Sequence, residues 1–159
     1  MTRLYFLRHG LADRSAWSGD DFLRPLTACG KQQLARTAEI IAGLDLGLEI
    51  IVSSPLTRAY QTAEVIAEAL TMRDRLVTDE RLAPGFGPPA LRMLLKEHAG
   101  IANVMLVGHE PDFSQTIGAL IGGGRVVCKK GGLARVDLPE GDNLAGELVW
   151  LAPPTLWPI

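Results

Sequence analysis

Three short apolar runs, each followed by a turn and an amphipathic helical pattern, constrain the fold of this chain more than any other feature. The runs lie at residues 4–7, 50–52 and 104–107. Apolar runs that alternate with helical patterns predict parallel strands connected by helices. We therefore expect an α/β fold over residues 1–159: a single three-layer domain, with a mostly parallel central sheet and helices on both faces.

The ends of the predicted helices are marked by capping residues. Thr27 predicts the start of a helix over about 28–42. Ser54 as N-cap, followed by Pro55 at the first helical position, predicts a second helix. This second helix is predicted to end near Leu70. A third helix is predicted over about 89–98 and a fourth from Pro111, and further strands at 3–8 and near 76–77.

The C-terminal part of the chain has a different pattern. Residues 133–138 and 146–151 are two strand-like runs, and the turn-forming residues 139–143 between them are typical of a hairpin loop. Hairpin strands are antiparallel, so we expect an antiparallel C-terminal edge on the sheet.

Composition excludes several classes of partner and cofactor. The net charge of −2 disfavours nucleic acid or a membrane surface as the main partner, and no apolar run is long enough to cross a bilayer. Cysteine and histidine do not cluster with metal-ligand spacing, so we expect neither a metal nor another cofactor. The isolated Cys29 and Cys128 are typical of free thiols, and we expect a cytoplasmic protein.

Three polar motifs directly follow the three apolar runs. They are Arg8-His9-Gly10, the segment 53–62 that contains Arg58, and Gly108-His109-Glu110-Pro111. The carboxyl ends of parallel strands meet at one edge of a sheet, where ligands bind. Arginine presents a planar fork that matches phosphate oxygens, and a neutral histidine can attack phosphorus. The motifs therefore predict a site that binds a phosphoryl group and attacks it.

The predicted nucleophile is a neutral histidine beside two cations. Nearby arginine charges disfavour a protonated imidazole, which helps to keep the attacking ring neutral. The second ring nitrogen needs a hydrogen-bond acceptor that sets the tautomer, and a backbone carbonyl near Gly10 is a candidate for His9.

Taken in order, these motifs resemble those of the histidine phosphatase superfamily, which is phosphoglycerate mutase-like. The matching residues are Arg8-His9-Gly10, Ser54-Pro55-x-x-Arg58-Ala59-x-Gln61-Thr62 and Gly108-His109. The small size of the chain and its segment Arg24-Pro25-Leu26-Thr27-x-x-Gly30 are most similar to the SixA branch, the phosphohistidine phosphatases. The resemblance implies that His9 becomes a phosphohistidine intermediate that water hydrolyses, without a metal. It also implies that Arg8, Arg58 and His109 bind the phosphoryl group.

One position departs from the pattern of the larger family members, which carry a carboxylic acid two residues after a leucine. Here Leu82 is followed by Pro84, which cannot donate a proton. An alcohol is a poor leaving group without a general acid, whereas the imidazole of phosphohistidine is less demanding. We therefore expect a phosphorylated protein as substrate, such as a histidine phosphotransfer domain. Glu80 or Asp79 could supply the acid instead, which keeps a small phosphate ester as an alternative substrate.

Two other questions stay open at the level of sequence. Arg24 either reaches the rim of the site or pairs with Asp20 or Asp21 on the surface. The constellation is also compatible with a phosphate-binding module that has lost turnover, although the intact arginine and histidine residues argue against it. A mutase is disfavoured because reversible transfer between alcohols needs acid–base help at the position of Pro84.

Overall fold

A six-stranded sheet forms the centre of the molecule in a computed structural model that describes residues 1–141 and 143–157. The strand order is β3-β2-β4-β1-β5-β6. The strands are β1 Thr2–Arg8, β2 Ile50–Ser53, β3 Leu76–Thr78, β4 Asn103–Gly108, β5 Leu133–Leu138 and β6 Glu147–Ala152.

The pairing of the strands confirms the predicted mixed sheet. β1 pairs with β4, and β2 pairs with both β3 and β4, in parallel. β5 pairs with β1, and β6 with β5, in the antiparallel sense. The antiparallel C-terminal edge is thus present; Asp142 of the predicted hairpin loop lies outside the described residues.

Helices cover both faces of the sheet because alternate residues of each strand point to opposite sides. The helices are α1 Ala28–Gly43, α2 Thr57–Ala69, α3 Pro88–Glu97 and α4 Asp112–Leu120. Tyr5 and Leu7 of β1 share a core cluster with α1 and α2. Leu4 and Phe6 share the other cluster with α3 and α4. No helix among the described residues is long and apolar enough to span a membrane.

The start of α1 agrees with the sequence, whereas that of α2 does not. Thr27 caps α1 as predicted, its hydroxyl accepting a hydrogen bond from Gly30 N at 2.9 Å. The predicted cap at Ser54 is wrong, because α2 begins at Thr57 and has no side-chain cap. Ser54 N still donates to Val107 O at 2.9 Å, so the backbone continues the strand pairing and turns into the helix only later.

Gly30 allows α1 to pack directly on the loop that follows β1. A Cβ atom at this position would lie 2.4 Å from the carbonyl oxygen of Leu11. The same carbonyl accepts a hydrogen bond from Thr27 N at 2.9 Å, so the contact holds the start of α1 against the chain just after His9.

We expect Gly30→Ala to lower the free energy of unfolding by about 1–3 kcal/mol, because a backbone atom cannot move away as a flexible side chain would. Gly43→Ala is the matched control in the same helix, since a Cβ there meets no atom within 4 Å. Alanine favours helix over glycine, so this control is expected to be neutral or slightly stabilising. Urea unfolding measures both variants, and equal stability of the two would contradict the packing argument.

Candidate active site

A cleft with a volume of about 530 Å³ opens at the carboxyl ends of the parallel strands. Its lining contains five basic side chains and three acidic ones, an excess of positive charge that suits an anion. The lining residues are Arg8, His9, Ala12, Asp13, Arg14, Asp21, Arg24, Arg58, Pro84, His109, Glu110 and Lys130. The structure thus brings together five of the six candidate site residues: Arg8, His9, Arg24, Arg58 and His109.

The two histidines lie side by side because their strands are neighbours in register. Arg8 pairs with Gly108 across the β1–β4 ladder, and His9 N donates to Gly108 O at 3.0 Å. His9 follows the last residue of β1 and His109 follows the last residue of β4, so the two histidines leave the sheet next to each other. Both rings are buried, and their centroids are 5.3 Å apart.

The hydrogen bond of His9 defines which ring nitrogen carries the proton. Nδ1 lies 2.7 Å from the carbonyl oxygen of Gly10, and a carbonyl can only accept, so Nδ1 donates. Nε2 then holds a lone pair, and it makes no hydrogen bond within the described part of the chain. Burial, with smaller contributions from His109, Arg58 and Arg8, lowers the pKa of His9 to about 3. The ring is therefore neutral near pH 7, as a nucleophile requires.

His109 is held by a hydroxyl rather than a carbonyl. Its Nε2 lies 2.7 Å from Ser54 Oγ, while its Nδ1 is buried without a hydrogen-bond partner. Burial and, secondarily, the charge of Arg58 lower the pKa of His109 to about 4. Both histidines of the cleft are thus neutral in the unliganded protein. Sequence reasoning missed the contact because Ser54 matches an N-cap pattern.

Arg8 and Arg58 are each held at one end of the guanidinium group. Arg8 Nη1 donates to Cys128 O at 2.9 Å, and Arg58 Nη1 donates to Asp21 O at 2.9 Å. In both residues Nε is buried without a partner. A buried unpaired donor is costly, and the oxygen of a bound anion would satisfy it. Arg8, Arg58 and His109 all line the cleft, and each has one buried nitrogen atom without a partner, which fits a ligand rich in oxygen acceptors.

Asp21 joins the arginines of the cleft and was missed as a site residue. Its carboxylate lies 3.3 Å from Arg58 Nη2 and 3.0 Å from Arg24 Nε. The hydrogen bond from Arg24, assisted by the charge of Arg58, lowers the pKa of Asp21. The spacing to Arg24 made that pair a possibility in the sequence, but nothing in the sequence links Asp21 to Arg58, which is far along the chain.

Arg24 combines the two options that the sequence left open. It lines the cleft and pairs with Asp21, and its own side chain is buried while that of Asp21 is exposed. Its Nη1 also donates to the carbonyl oxygen of Ala12.

The structure does not bring the candidate acid Glu80 into the cleft. Glu80 is exposed at the start of a single 3-10 turn, Glu80–Leu82, and Pro84 is the residue of this segment that lines the cleft. Asp79 is bound by Arg81, whose hydrogen bond lowers the pKa of the aspartate and holds it as a carboxylate.

Two other charged residues of the cleft lie beside the predicted ones. Glu110 lines the cleft with both carboxylate oxygens engaged, Oε1 by Ser114 N at 2.8 Å and Oε2 by the Ser114 hydroxyl. The exposed Lys130 also lines it. Gly131 N donates to the carbonyl oxygens of Arg8 and His9, which brings the loop that contains Lys130 to the site.

Two further residues of the second motif, Gln61 and Thr62, hold the backbone around the site by hydrogen bonds. Thr62 Oγ1 accepts from Gly10 N at 3.1 Å and donates to Arg58 O at 2.7 Å. Gln61 Oε1 accepts from Leu26 N at 2.9 Å. These bonds connect α2 to the turn that follows β1.

The low pKa values of His9 and His109 predict a pH-dependent stability. Between about pH 6.5 and the folded-state pKa, the unfolded imidazole binds a proton that the folded one refuses, so stability falls as pH decreases through this window. We expect His9→Asn to reduce the stability loss between pH 7.5 and 5 by about 2 kcal/mol, as measured by urea unfolding. His98→Asn, which removes the histidine outside the cleft, controls for general effects; an unchanged loss in His9→Asn would contradict the burial argument.

Comparison with known proteins places the chain in a family. Residues 4–84 match the model of the histidine phosphatase superfamily (branch 1). The phosphohistidine phosphatase SixA of Escherichia coli K12 is 27% identical over 157 residues, which cover 96% of this chain and 94% of that protein. An uncharacterized protein of Picosynechococcus is 39% identical over 114 residues, which cover 70% of this chain and 68% of that protein.

Solved structures show the same fold over the whole chain. The structure of the protein histidine phosphatase SixA complexed with tungstate has a TM-score of 0.83 and 26% identity, and covers 97% of this chain and 98% of that one. A mycobacterial glucosyl-3-phosphoglycerate phosphatase in complex with VO3 has a TM-score of 0.76 and 20% identity, and covers 96% and 100%. This chain belongs to the histidine phosphatase superfamily, and that membership supports phosphatase activity.

Proposed function

We propose that this protein hydrolyses phosphohistidine on a protein substrate through a phosphorylated His9. The observation that carries the proposal is the hydrogen bond from His9 Nδ1 to Gly10 O, which leaves a neutral Nε2 as the nucleophile. Arg8, Arg58 and His109 line the same cleft and carry the unpaired nitrogen atoms that a phosphoryl group would satisfy. The similarity to SixA supports the choice of phosphohistidine over other phosphoryl donors.

In the first step, the Nε2 lone pair of His9 forms a bond to phosphorus while the bond from phosphorus to the substrate nitrogen breaks. The electron pair of the broken bond stays on the substrate imidazole. That ring leaves as neutral imidazole when its other nitrogen carries a proton. Arg8 and Arg58 bind the phosphoryl oxygens and stabilise the charge on them in the transition state.

In the second step, water attacks the phosphorus of phospho-His9 and the bond to Nε2 breaks. Its electron pair returns to Nε2, and inorganic phosphate retains the protons of the water. Because Nδ1 keeps the proton that it donates to Gly10 O, His9 also leaves as neutral imidazole. Neither step requires a general acid or a metal.

The carboxyl groups near Pro84 support a phosphohistidine substrate. Glu80 is exposed and outside the cleft lining of the described residues, and Asp79 is ion-paired with Arg81. An alcohol leaving group would therefore lack a proton donor from this segment. The proposed partner is a phosphorylated cytoplasmic protein, such as a histidine phosphotransfer domain. The proposed enzyme is a single domain over residues 1–159.

The test is phosphate release from a phosphohistidine-bearing protein with EDTA present. We expect release by the wild type and a loss of about 1000-fold or more in His9→Asn, because no other nitrogen replaces the nucleophile. His98→Asn is the matched control, since His98 lies outside the cleft lining, and it is expected to keep full activity.

Other outcomes would point to the alternatives. Full activity in His9→Asn would refute the covalent mechanism. Hydrolysis of small phosphate esters alone, reduced in Glu80→Gln, would favour a phosphomonoesterase. Phosphate binding without turnover of either substrate class would indicate a binding module.

A further inference from the structure

The buried hydroxyl of Ser54 contacts His109 and has no role in the two reaction steps proposed above. Ser54 is fully buried, and its Oγ lies 2.7 Å from His109 Nε2. The same oxygen accepts a hydrogen bond from Leu56 N at 3.2 Å. His109 thus lines the cleft and also contacts the buried Ser54, which is not among the residues that line the cleft.

The hydrogen-bond donors and acceptors around the Ser54 hydroxyl favour one tautomer of His109. A hydroxyl has one proton to donate and two lone pairs to accept with, and Leu56 N already uses one lone pair. If His109 Nε2 also donated to Oγ, the Ser54 proton would have no acceptor among the described residues. When Ser54 donates to Nε2, one buried group stays unpaired, the Nδ1–H donor; when Nε2 donates to Ser54, two stay unpaired, the Ser54 proton and the Nδ1 lone pair. Unpaired buried polar groups are costly, so the arrangement in which Ser54 donates to Nε2 is favoured.

We propose that Ser54 is a positioning residue that keeps the proton of His109 on Nδ1, so that the neutral ring can donate a hydrogen bond to a phosphoryl oxygen. This inference rests on the proposed function for its role in phosphoryl binding. The tautomer itself is a property of the free protein. Ser54 thus serves His109 as the Gly10 carbonyl serves His9, with the opposite ring nitrogen engaged.

The tautomer matters because the two forms of His109 interact oppositely with an anion. Nδ1–H is a donor and attracts a phosphoryl oxygen, whereas an unprotonated Nδ1 would present a lone pair and repel it. Protonation of the whole ring would also supply a donor, but the buried imidazolium beside Arg58 is disfavoured. A fixed neutral tautomer is therefore the available way for His109 to donate near pH 7.

Ser53 offers a matched control for this contact. It is also fully buried and directly precedes Ser54, but its hydroxyl donates to the carbonyl oxygen of Ser54 at 2.9 Å. Ser53→Ala therefore removes a buried hydroxyl of the same size from the same segment without removing the hydrogen-bond partner of His109.

The direct test is the tautomer of His109 in the free protein, read from ¹⁵N chemical shifts after histidine labelling. The chain has three histidines, so His9→Asn and His98→Asn suffice to assign the spectrum. We expect a protonated Nδ1 and an unprotonated Nε2 for His109 in the wild type and in Ser53→Ala. Ser54→Ala is expected to shift His109 toward the Nε2-protonated form. A wild-type His109 protonated on Nε2 would overturn the proposal even if Ser54→Ala does not fold.

Function is then compared between the same variants. We expect Ser54→Ala to lower the rate of phosphohistidine hydrolysis by about 10- to 100-fold and to weaken binding of inorganic phosphate, while Ser53→Ala changes neither. Unchanged phosphate binding and turnover in a folded Ser54→Ala would overturn the inference. Absence of turnover in the wild type would instead refute the proposed function, and the tautomer and phosphate binding would still decide the role of Ser54.

Discussion

The parallel register between β1 and β4 is the constraint on which the site depends. It pairs Arg8 with Gly108, so the residues that follow, His9 and His109, leave the sheet side by side. A slip by one residue would turn the side chains of a strand to the opposite face of the sheet. Tyr5 would then exchange its core cluster for that of Phe6. The packing that holds the sheet between its helices therefore also fixes the distance between the two imidazole rings.

Charge compensation is the second requirement, because the cleft buries guanidinium groups. Removing such a charge from water is costly unless a partner is supplied. Asp21 contacts both Arg24 and Arg58, yet it engages the Nη atoms of Arg58 and leaves Nε unpaired. The segment between β1 and α1 is thereby fixed to α2. The cleft keeps donors for a ligand without leaving all its cations uncompensated, an arrangement that is preorganised for an anion.

The sequence was sufficient for those features that depend on local patterns. Strand and helix periodicity predicted the layers, and the rule that parallel strands share one carboxyl edge brought His9, His109, Arg8 and Arg58 together. Contacts between distant segments could not be predicted. Ser54 resembles an N-cap, and only the continued strand pairing shows that its hydroxyl is directed to His109 instead. The roles of Asp21 and Lys130 likewise depend on how two loops fold over the sheet edge. Glu80 begins a 3-10 turn and does not line the cleft, whereas Pro84 of the same segment does.

The exclusion of Glu80 from the cleft, the ion pair of Asp79 and the neutrality of both histidines fit one chemical scheme. In the proposed reaction, the phosphoryl group moves from one imidazole to another, so the attacking and leaving groups have similar basicity and no strong acid is needed. The imidazole rings of His9 and His109 must instead be neutral, each with its proton on a defined nitrogen. Burial disfavours the charged form of His9 and His109. The Gly10 carbonyl and the Ser54 hydroxyl each engage one nitrogen of these rings. Two hydrogen bonds of 2.7 Å thus determine which nitrogen of His9 and of His109 carries the proton. A phosphate ester would instead require a proton donor for its alcohol leaving group.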